Sequence, residues 1–196
     1  MKRGLSVLIA VVLVASFQPA YAGKSGAAKP SASERKRQKI DTMAAETMKK
    51  LMERNESARE LRDQAYGYAV FDNFKLSLLF TGGGGAGVAV RRGSGQRIYM
   101  RMGTAGLNLG LGGQKYQVVF LFQNQRTFDD FVEFGWKAET GANAVAGTAG
   151  ANAEAAFTDG MAMYQLTQGG LMLQADISGT KYWKAKKLNR KGRRRD

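Results

Sequence analysis

Glycine is concentrated in the middle of this chain, and its spacing there constrains the fold more than any other feature. Of the 25 glycines, 16 lie between positions 82 and 150. They alternate with β-branched and large apolar residues, as in Gly103–Gly113, and a period of two is typical of strands. A strand face without side chains lets another apolar body approach the backbone closely. The pattern predicts a glycine-rich sheet that packs against or binds something, with catalysis a secondary possibility.

A helical pattern precedes the strands. Between residues 34 and 65 the apolar positions recur near the 3.6-residue period of an amphipathic helix. Asn55 and Ser57 weaken the pattern, and the helix can break there. From Tyr66 to residue 183 the period changes to two. The predicted fold class is therefore α+β, with a long N-terminal helix packed on a curved, mostly antiparallel, glycine-rich sheet of many short strands.

Local composition predicts several turns, strands and one short helix. The tetraglycine Gly82–Gly85 predicts a turn or bulge, and Gly93–Gly95 predicts a hairpin turn. Val118–Phe122 is apolar at every position and predicts a central buried strand. Thr127 and Asp130 have the spacing of a capping box, which predicts a short helix ending near Phe134. Further strands are predicted at 138–146 and 148–156, and a last hairpin at 161–177.

The first 22 residues have the features of a secretory signal peptide. Lys2 and Arg3 precede the apolar segment Leu5–Phe17, and Ala20–Ala22 supplies small residues before a cleavage site at Gly23. A membrane anchor is the alternative, but a span needs about 20 apolar residues. We therefore expect an exported protein of the periplasm or cell envelope. Residues 23–33 are small and polar and predict a flexible linker.

The formal net charge of +14 is carried mainly by the two ends of the chain. Residues 66–183 contain nine basic and eight acidic side chains, whereas residues 184–196 contain eight basic and one acidic. The segment 184–196 is predicted to be a disordered basic tail. Such a tail can bind nucleic acid or anionic lipid, and export leaves lipid as the expected partner.

Composition also argues against most catalytic chemistry. The chain has no cysteine and no histidine, which excludes disulfides, lipid attachment to cysteine and the usual nucleophile–base pairs. Gly82, Gly84 and Gly87 fit a Gly-x-Gly-x-x-Gly string, but a strand rather than a helix follows. Asp129 and its acidic neighbours fit helix capping better than a metal site. We predict no catalytic residue, no metal site and no cofactor, and thus a protein that is not an enzyme.

Three ordered motifs carry a family resemblance over nearly the whole mature chain: Tyr66–Phe71, Gly82–Val90 and Gly103–Gln114. In these motifs the chain resembles the SYLF family, the yeast actin-bundling-type lipid-binding domains. The resemblance implies a helix-plus-curved-sheet domain over residues 34–183, with the helix at 34–65 and the sheet at 66–183. It also implies phospholipid binding through basic residues of the N-terminal helix, which correspond here to Arg35, Lys36, Arg37 and Lys39. Eukaryotic members also bind actin, which we do not expect of an exported bacterial chain.

The sequence therefore predicts a non-enzymatic domain that binds anionic phospholipid or another envelope lipid, with no nucleic-acid partner. The alternative is a structural or protein-interaction module of the cell envelope with no specific lipid ligand. The predicted lipid-binding residues are the basic side chains at both ends of the domain. They are Arg35, Lys36, Arg37, Lys39, Lys184, Lys186, Lys187 and Arg190.

Overall fold

The computed structural model describes residues 29–77, 80–107, 112–137, 156–167, 170–172 and 179–190. The helices are α1 Ala32–Arg54, α2 Glu56–Gln64, α3 Gln125–Glu133 and α4 Lys186–Asn189. The strands are β1 Gly67–Ser77, β2 Phe80–Arg91, β3 Arg97–Leu107, β4 Gly112–Phe122, β5 Trp136–Lys137, β6 Met161–Thr167, β7 Gly170–Met172 and β8 Thr180–Lys184. The predicted signal peptide, most of the linker, the strand predicted at 138–146 and all but the last residue of the strand predicted at 148–156 lie outside the described residues.

The predicted N-terminal helix is two helices. Ser31 and Glu34 form a capping box, in which each side chain accepts a hydrogen bond from the other's backbone N–H. Asn55 then ends α1 and caps α2, because its side-chain oxygen accepts the Ala58 N–H at 2.6 Å. The break therefore falls at the weak point that the sequence indicates, since asparagine satisfies the orphan N–H groups of a helix start well.

The strands form one antiparallel sheet of eight in the order β5-β8-β3-β2-β1-β4-β6-β7. The α+β fold class is confirmed. The hairpins joining β2 to β3 and β6 to β7 also occur where predicted. The order places β8, which ends near residue 184, directly beside β3.

The prediction of a turn or bulge at the tetraglycine is wrong. Gly82–Gly85 lies inside β2, where each residue pairs with β1 on one side and β3 on the other. Because both neighbouring backbones satisfy its hydrogen bonds, β2 continues for 12 residues without needing side chains. The glycine tracts thus lengthen the central strands rather than ending them.

Apolar layers cover both faces of the sheet. On one face, α1 and α2 bury residues such as Ile40 and Leu51 against Val70, Val119 and Tyr164. The prediction that the N-terminal helix packs on the sheet is confirmed. On the other face, Phe128 and Phe131 of α3 join a second core rich in aromatic rings. Val118–Phe122 of β4 is buried on both faces, as its composition indicates.

Two local predictions need correction. The short helix begins at Gln125 with Asn124 as its N-cap, so Thr127 and Asp130 do not form the predicted capping box. Asn124 accepts the Thr127 N–H at 3.0 Å and takes the place that the sequence pattern gave to Thr127. The predicted disordered tail is also wrong for residues 184–190, because Lys184 ends β8 and Lys186–Asn189 form α4.

Candidate functional site: a basic cleft

A cleft of about 530 Å³ lies at the end of the sheet where the β2–β3 hairpin turns, and α1, α3 and α4 contribute to its walls. We call it the basic cleft, because five of its lining side chains are basic and two are acidic. The charged and polar residues that line it are Arg37, Arg91, Gln96, Arg97, Tyr99, Asp129, Glu133, Lys184, Asn189 and Arg190.

One wall of the cleft is built by α4, which is tied to the start of β3. Asn189 accepts the Tyr99 N–H at 2.9 Å and donates to the Tyr99 carbonyl at 2.7 Å. Leu188 is buried in the core that α1 covers. Arg37 of α1 donates to the Leu188 carbonyl at 3.1 Å. These contacts join two basic segments that are 151 residues apart in the sequence.

Three of the five basic residues have acidic partners. Arg91 pairs with Asp129 at 2.7 Å, Lys184 with Glu133 at 2.9 Å, and Arg97 with Asp41 at 3.4 Å. Arg37 and Arg190 form no ion pair with any residue that the structure describes. The cleft therefore has an excess of positive charge, and two of its guanidinium groups have no carboxylate within ion-pairing distance in the described part of the chain.

The other contacts keep the paired groups in place. Arg91 also donates to the Tyr66 hydroxyl at 2.8 Å, and its guanidinium lies 5.6 Å from the centre of that ring. Tyr99 donates its hydroxyl proton to Asp41 at 3.0 Å. Burial, and then the hydrogen bond to Asp41, raise the pKa of Tyr99 to about 12. Because that pKa lies far above neutral pH, the hydroxyl stays protonated and continues to orient the Asp41 carboxylate towards Arg97.

The predicted lipid-binding residues divide into two groups. Arg37, Lys184 and Arg190 line the basic cleft together. The others are exposed on α1 and α4 beside it and do not line it: Arg35, Lys36, Lys39, Lys186 and Lys187. The structure thus brings the basic start of α1 and the basic segment after β8 to one end of the molecule.

Sequence reasoning missed Arg91, Arg97, Tyr99 and Asn189. The two arginines flank the Gly93–Gly95 turn, which is a signal that they share one end of the sheet. Nothing in the sequence pattern indicates that β8 pairs with β3, so the proximity of Arg91 and Arg97 to Lys184 and Asn189 could not be deduced.

Within the described part of the chain, no three histidine, cysteine or carboxylate residues are grouped so that they could hold a metal ion. None of the helices in the described ranges is both long enough and apolar enough to span a membrane.

The geometry defines an α+β domain with an antiparallel sheet between helical layers and a cationic cleft at one end of that sheet. Residues 103–192 match the family model "Ysc84: Las17-binding protein actin regulator". Beta cell expansion factor A of Aeromonas veronii is 45% identical over 164 residues, which is 84% of this chain and 63% of that relative. The chain therefore spans less than two thirds of this relative's length.

Residues 103–192 therefore match a SYLF-family domain of the Ysc84 type, and the similarity to this relative extends over most of the chain. The resemblance carried by the glycine motifs is confirmed. The matched region begins within β3 and includes α3, β8 and α4, and thus the residues that form one side of the basic cleft. Arg37, Arg91 and Arg97 lie before it.

Proposed function

We propose that this protein is an exported, non-enzymatic domain that binds the surface of membranes containing anionic phospholipid. The observation that carries the proposal is the convergence of Arg37, Lys184 and Arg190 on one cleft. These residues come from two segments that the sequence marks as basic, and they meet at the same end of the sheet. The match to a SYLF-family domain supports interaction with lipid or protein, and the charge of the cleft favours an anionic lipid head group.

The unpaired guanidinium groups supply the binding chemistry. Arginine presents a planar fork of N–H donors that suits phosphate oxygens. Arg37 and Arg190 form no close ion pair with any described residue, so phosphate binding at these two side chains does not have to break one. Exposed Lys36, Lys39 and Lys186 beside the cleft add attraction over a distance of roughly one Debye length.

Vesicle sedimentation tests this proposal with a charge-matched pair of variants. The test variant is Arg37→Gln with Arg190→Gln. The control is Lys49→Gln with Lys50→Gln, which removes the same charge from exposed positions farther along α1. Because each basic residue near an anionic surface contributes on the order of 1 kcal/mol, we expect the test variant to bind phosphatidylglycerol vesicles roughly 30-fold more weakly.

The control variant is expected to bind within a factor of about three of the unmodified protein, because its charges act only through screened solvent. Equal losses in the two variants would mean that net charge alone drives binding, and the cleft would have no special role. Unmodified protein that sediments equally with neutral and anionic vesicles would contradict the electrostatic proposal. Salt-independent capture by a protein, without lipid binding, would favour the interaction module.

A second variant should strengthen binding. Asp41 holds Arg97 by an ion pair at 3.4 Å, so Asp41→Asn removes a negative charge while keeping an oxygen that can accept the Tyr99 hydroxyl. One additional free cation is expected to tighten binding to anionic vesicles about fivefold at low salt. Titration of the protein with vesicles at two ionic strengths measures this. Unchanged or weaker binding by a folded Asp41→Asn protein would mean that Arg97 does not face the membrane.

Export is a separate part of the proposal and rests on the signal-like sequence of residues 1–22. Mass spectrometry of the protein recovered from the cell envelope or medium checks it. We expect the N-terminus at Gly23. Recovery of the intact chain from the cytoplasm alone would contradict export without affecting the cleft.

A further inference from the structure

The helices α1 and α2 pack on one face of the sheet but leave part of that face uncovered. Side chains alternate between faces along a strand. Phe74 and Leu76 come four and six positions after Val70 in β1, so they face the same side of the sheet as Val70, which the helices bury. The uncovered area, which we call the open face, consists of Phe74, Leu76, Gly82, Gly84, Gly103 and Trp183.

Large apolar side chains are exposed on the open face. Phe74 is 46% exposed, Leu76 is 45% exposed and Trp183 is 39% exposed. The glycines between them leave the backbone bare, since a Cβ added at Gly82 would meet nothing within 4 Å. The Trp183 ring lies only 3.1 Å from where a Cβ of Gly103 would be, so the indole rests directly on the β3 backbone. The result is a continuous apolar surface, and such surfaces mark sites of contact.

Lysines flank this surface on both sides. One cross-strand row, read over β4, β1, β2, β3 and β8, is Lys115, Phe74, Gly84, Gly103 and Lys181. Lys115 and Lys181 are exposed. The neighbouring row, nearer the helices, holds exposed Asp72 and Arg101, and Asp72 accepts a hydrogen bond from Gln117 at 2.9 Å. An apolar centre with a basic rim is complementary to a bilayer whose head groups are anionic.

We propose that the open face is the surface through which this protein inserts into an anionic bilayer, with Phe74, Leu76 and Trp183 entering the boundary between head groups and acyl chains. The inference rests on the proposed membrane binding and adds the surface that penetrates the lipid. A second copy of the chain is a poorer occupant, because stacking two open faces would bring Lys115 and Lys181 of each copy against like charges. Strand β8 links the two surfaces, since Lys181 borders the open face and Lys184 lines the basic cleft.

Tryptophan fluorescence tests the insertion directly. The chain has two tryptophans, and Trp136→Phe leaves Trp183 as the only indole. Vesicles of phosphatidylcholine and phosphatidylglycerol carrying bromine on their acyl chains quench an indole that enters the bilayer. We expect quenching and a blue shift of Trp183 emission in these vesicles. No quenching is expected in neutral vesicles, where the basic rim has no partner.

A second variant provides a measurement that does not depend on Trp136→Phe. Phe74→Ser with Leu76→Ser removes the exposed apolar area and is expected to weaken partitioning into anionic vesicles on the order of 10- to 100-fold. The control is Phe134→Ser, because Phe134 is 84% exposed on the other side of the sheet, at the end of α3. The control is expected to partition like the unmodified protein.

The outcomes separate the two proposals. If anionic vesicles sediment the protein but acyl-chain bromine leaves Trp183 unquenched, the open face does not insert and the inference is overturned while electrostatic binding stands. If no vesicle sediments the protein, both proposals fail. A dimer in solution that Phe74→Ser with Leu76→Ser dissociates would assign the open face to a second copy and overturn the lipid assignment. Equal weakening by Phe134→Ser would also overturn it.

Discussion

Replacing Phe120 with alanine is expected to lower the free energy of unfolding by about 4 kcal/mol, the usual cost of truncating a buried aromatic residue. Phe120 is fully buried in the second core. Its ring centre lies 5.1 Å from that of Tyr182 and 5.1 Å from that of Phe131. It therefore joins β4, β8 and α3, and the cavity left by alanine would loosen all three. Chemical denaturation followed by circular dichroism measures the loss.

The control for this substitution is Phe134→Ala. Phe134 is 84% exposed, so its truncation is expected to change the free energy of unfolding by about 0.5 kcal/mol or less. A Phe120→Ala protein as stable as the Phe134→Ala protein would contradict the packing described for this core. Because Tyr182 precedes Lys184 on β8, Phe120→Ala is also expected to weaken vesicle binding at temperatures near its unfolding transition.

A single methyl group at Gly87 is expected to destabilise the protein by about 3 kcal/mol, at the upper end of the cost of overpacking. A Cβ built there would lie 2.2 Å from the Val70 carbonyl oxygen and 2.5 Å from the Phe71 ring. Since the first of these is backbone in the adjacent strand, relief requires β1 and β2 to separate. Thermal unfolding of Gly87→Ala measures the effect.

Gly82→Ala is the matched control, in the same strand with the same change. A Cβ at Gly82 meets nothing within 4 Å, and alanine restricts the unfolded chain more than glycine does. Its stability is expected to be unchanged or higher by up to about 1 kcal/mol. If the two variants unfolded at the same temperature, the close approach of β1 and β2 at Gly87 would be disproved.

The main elements of the fold could be predicted from sequence because they depend on local patterns. The 3.6-residue period of α1, the apolar run at Val118–Phe122 and the turn at Gly93–Gly95 each identify an element that the structure contains. The tetraglycine misled the prediction because glycine is common in turns. Its place in β2 depends on hydrogen bonds from two neighbouring strands, which no window along the chain reveals.

The candidate site could be predicted only in part, for a related reason. Charge density along the sequence indicates Arg37, Lys184 and Arg190, but not that they converge. Convergence follows from the pairing of β8 with β3 and from the Asn189–Tyr99 hydrogen bonds. Both link residues more than 70 positions apart, and antiparallel pairing at that separation has no local signature.

The position of α4 in the sequence determines when the basic cleft can form. Leu188, Asn189 and Arg190 are synthesised after α1, α3 and the β2–β3 hairpin, and they complete the wall of the cleft that rests on the start of β3 and on Arg37. A partly synthesised chain has its early arginines but no closed site to hold a phosphate. The cleft proposed to hold a phosphate would therefore form only once α4 has been synthesised and has docked on β3 and α1.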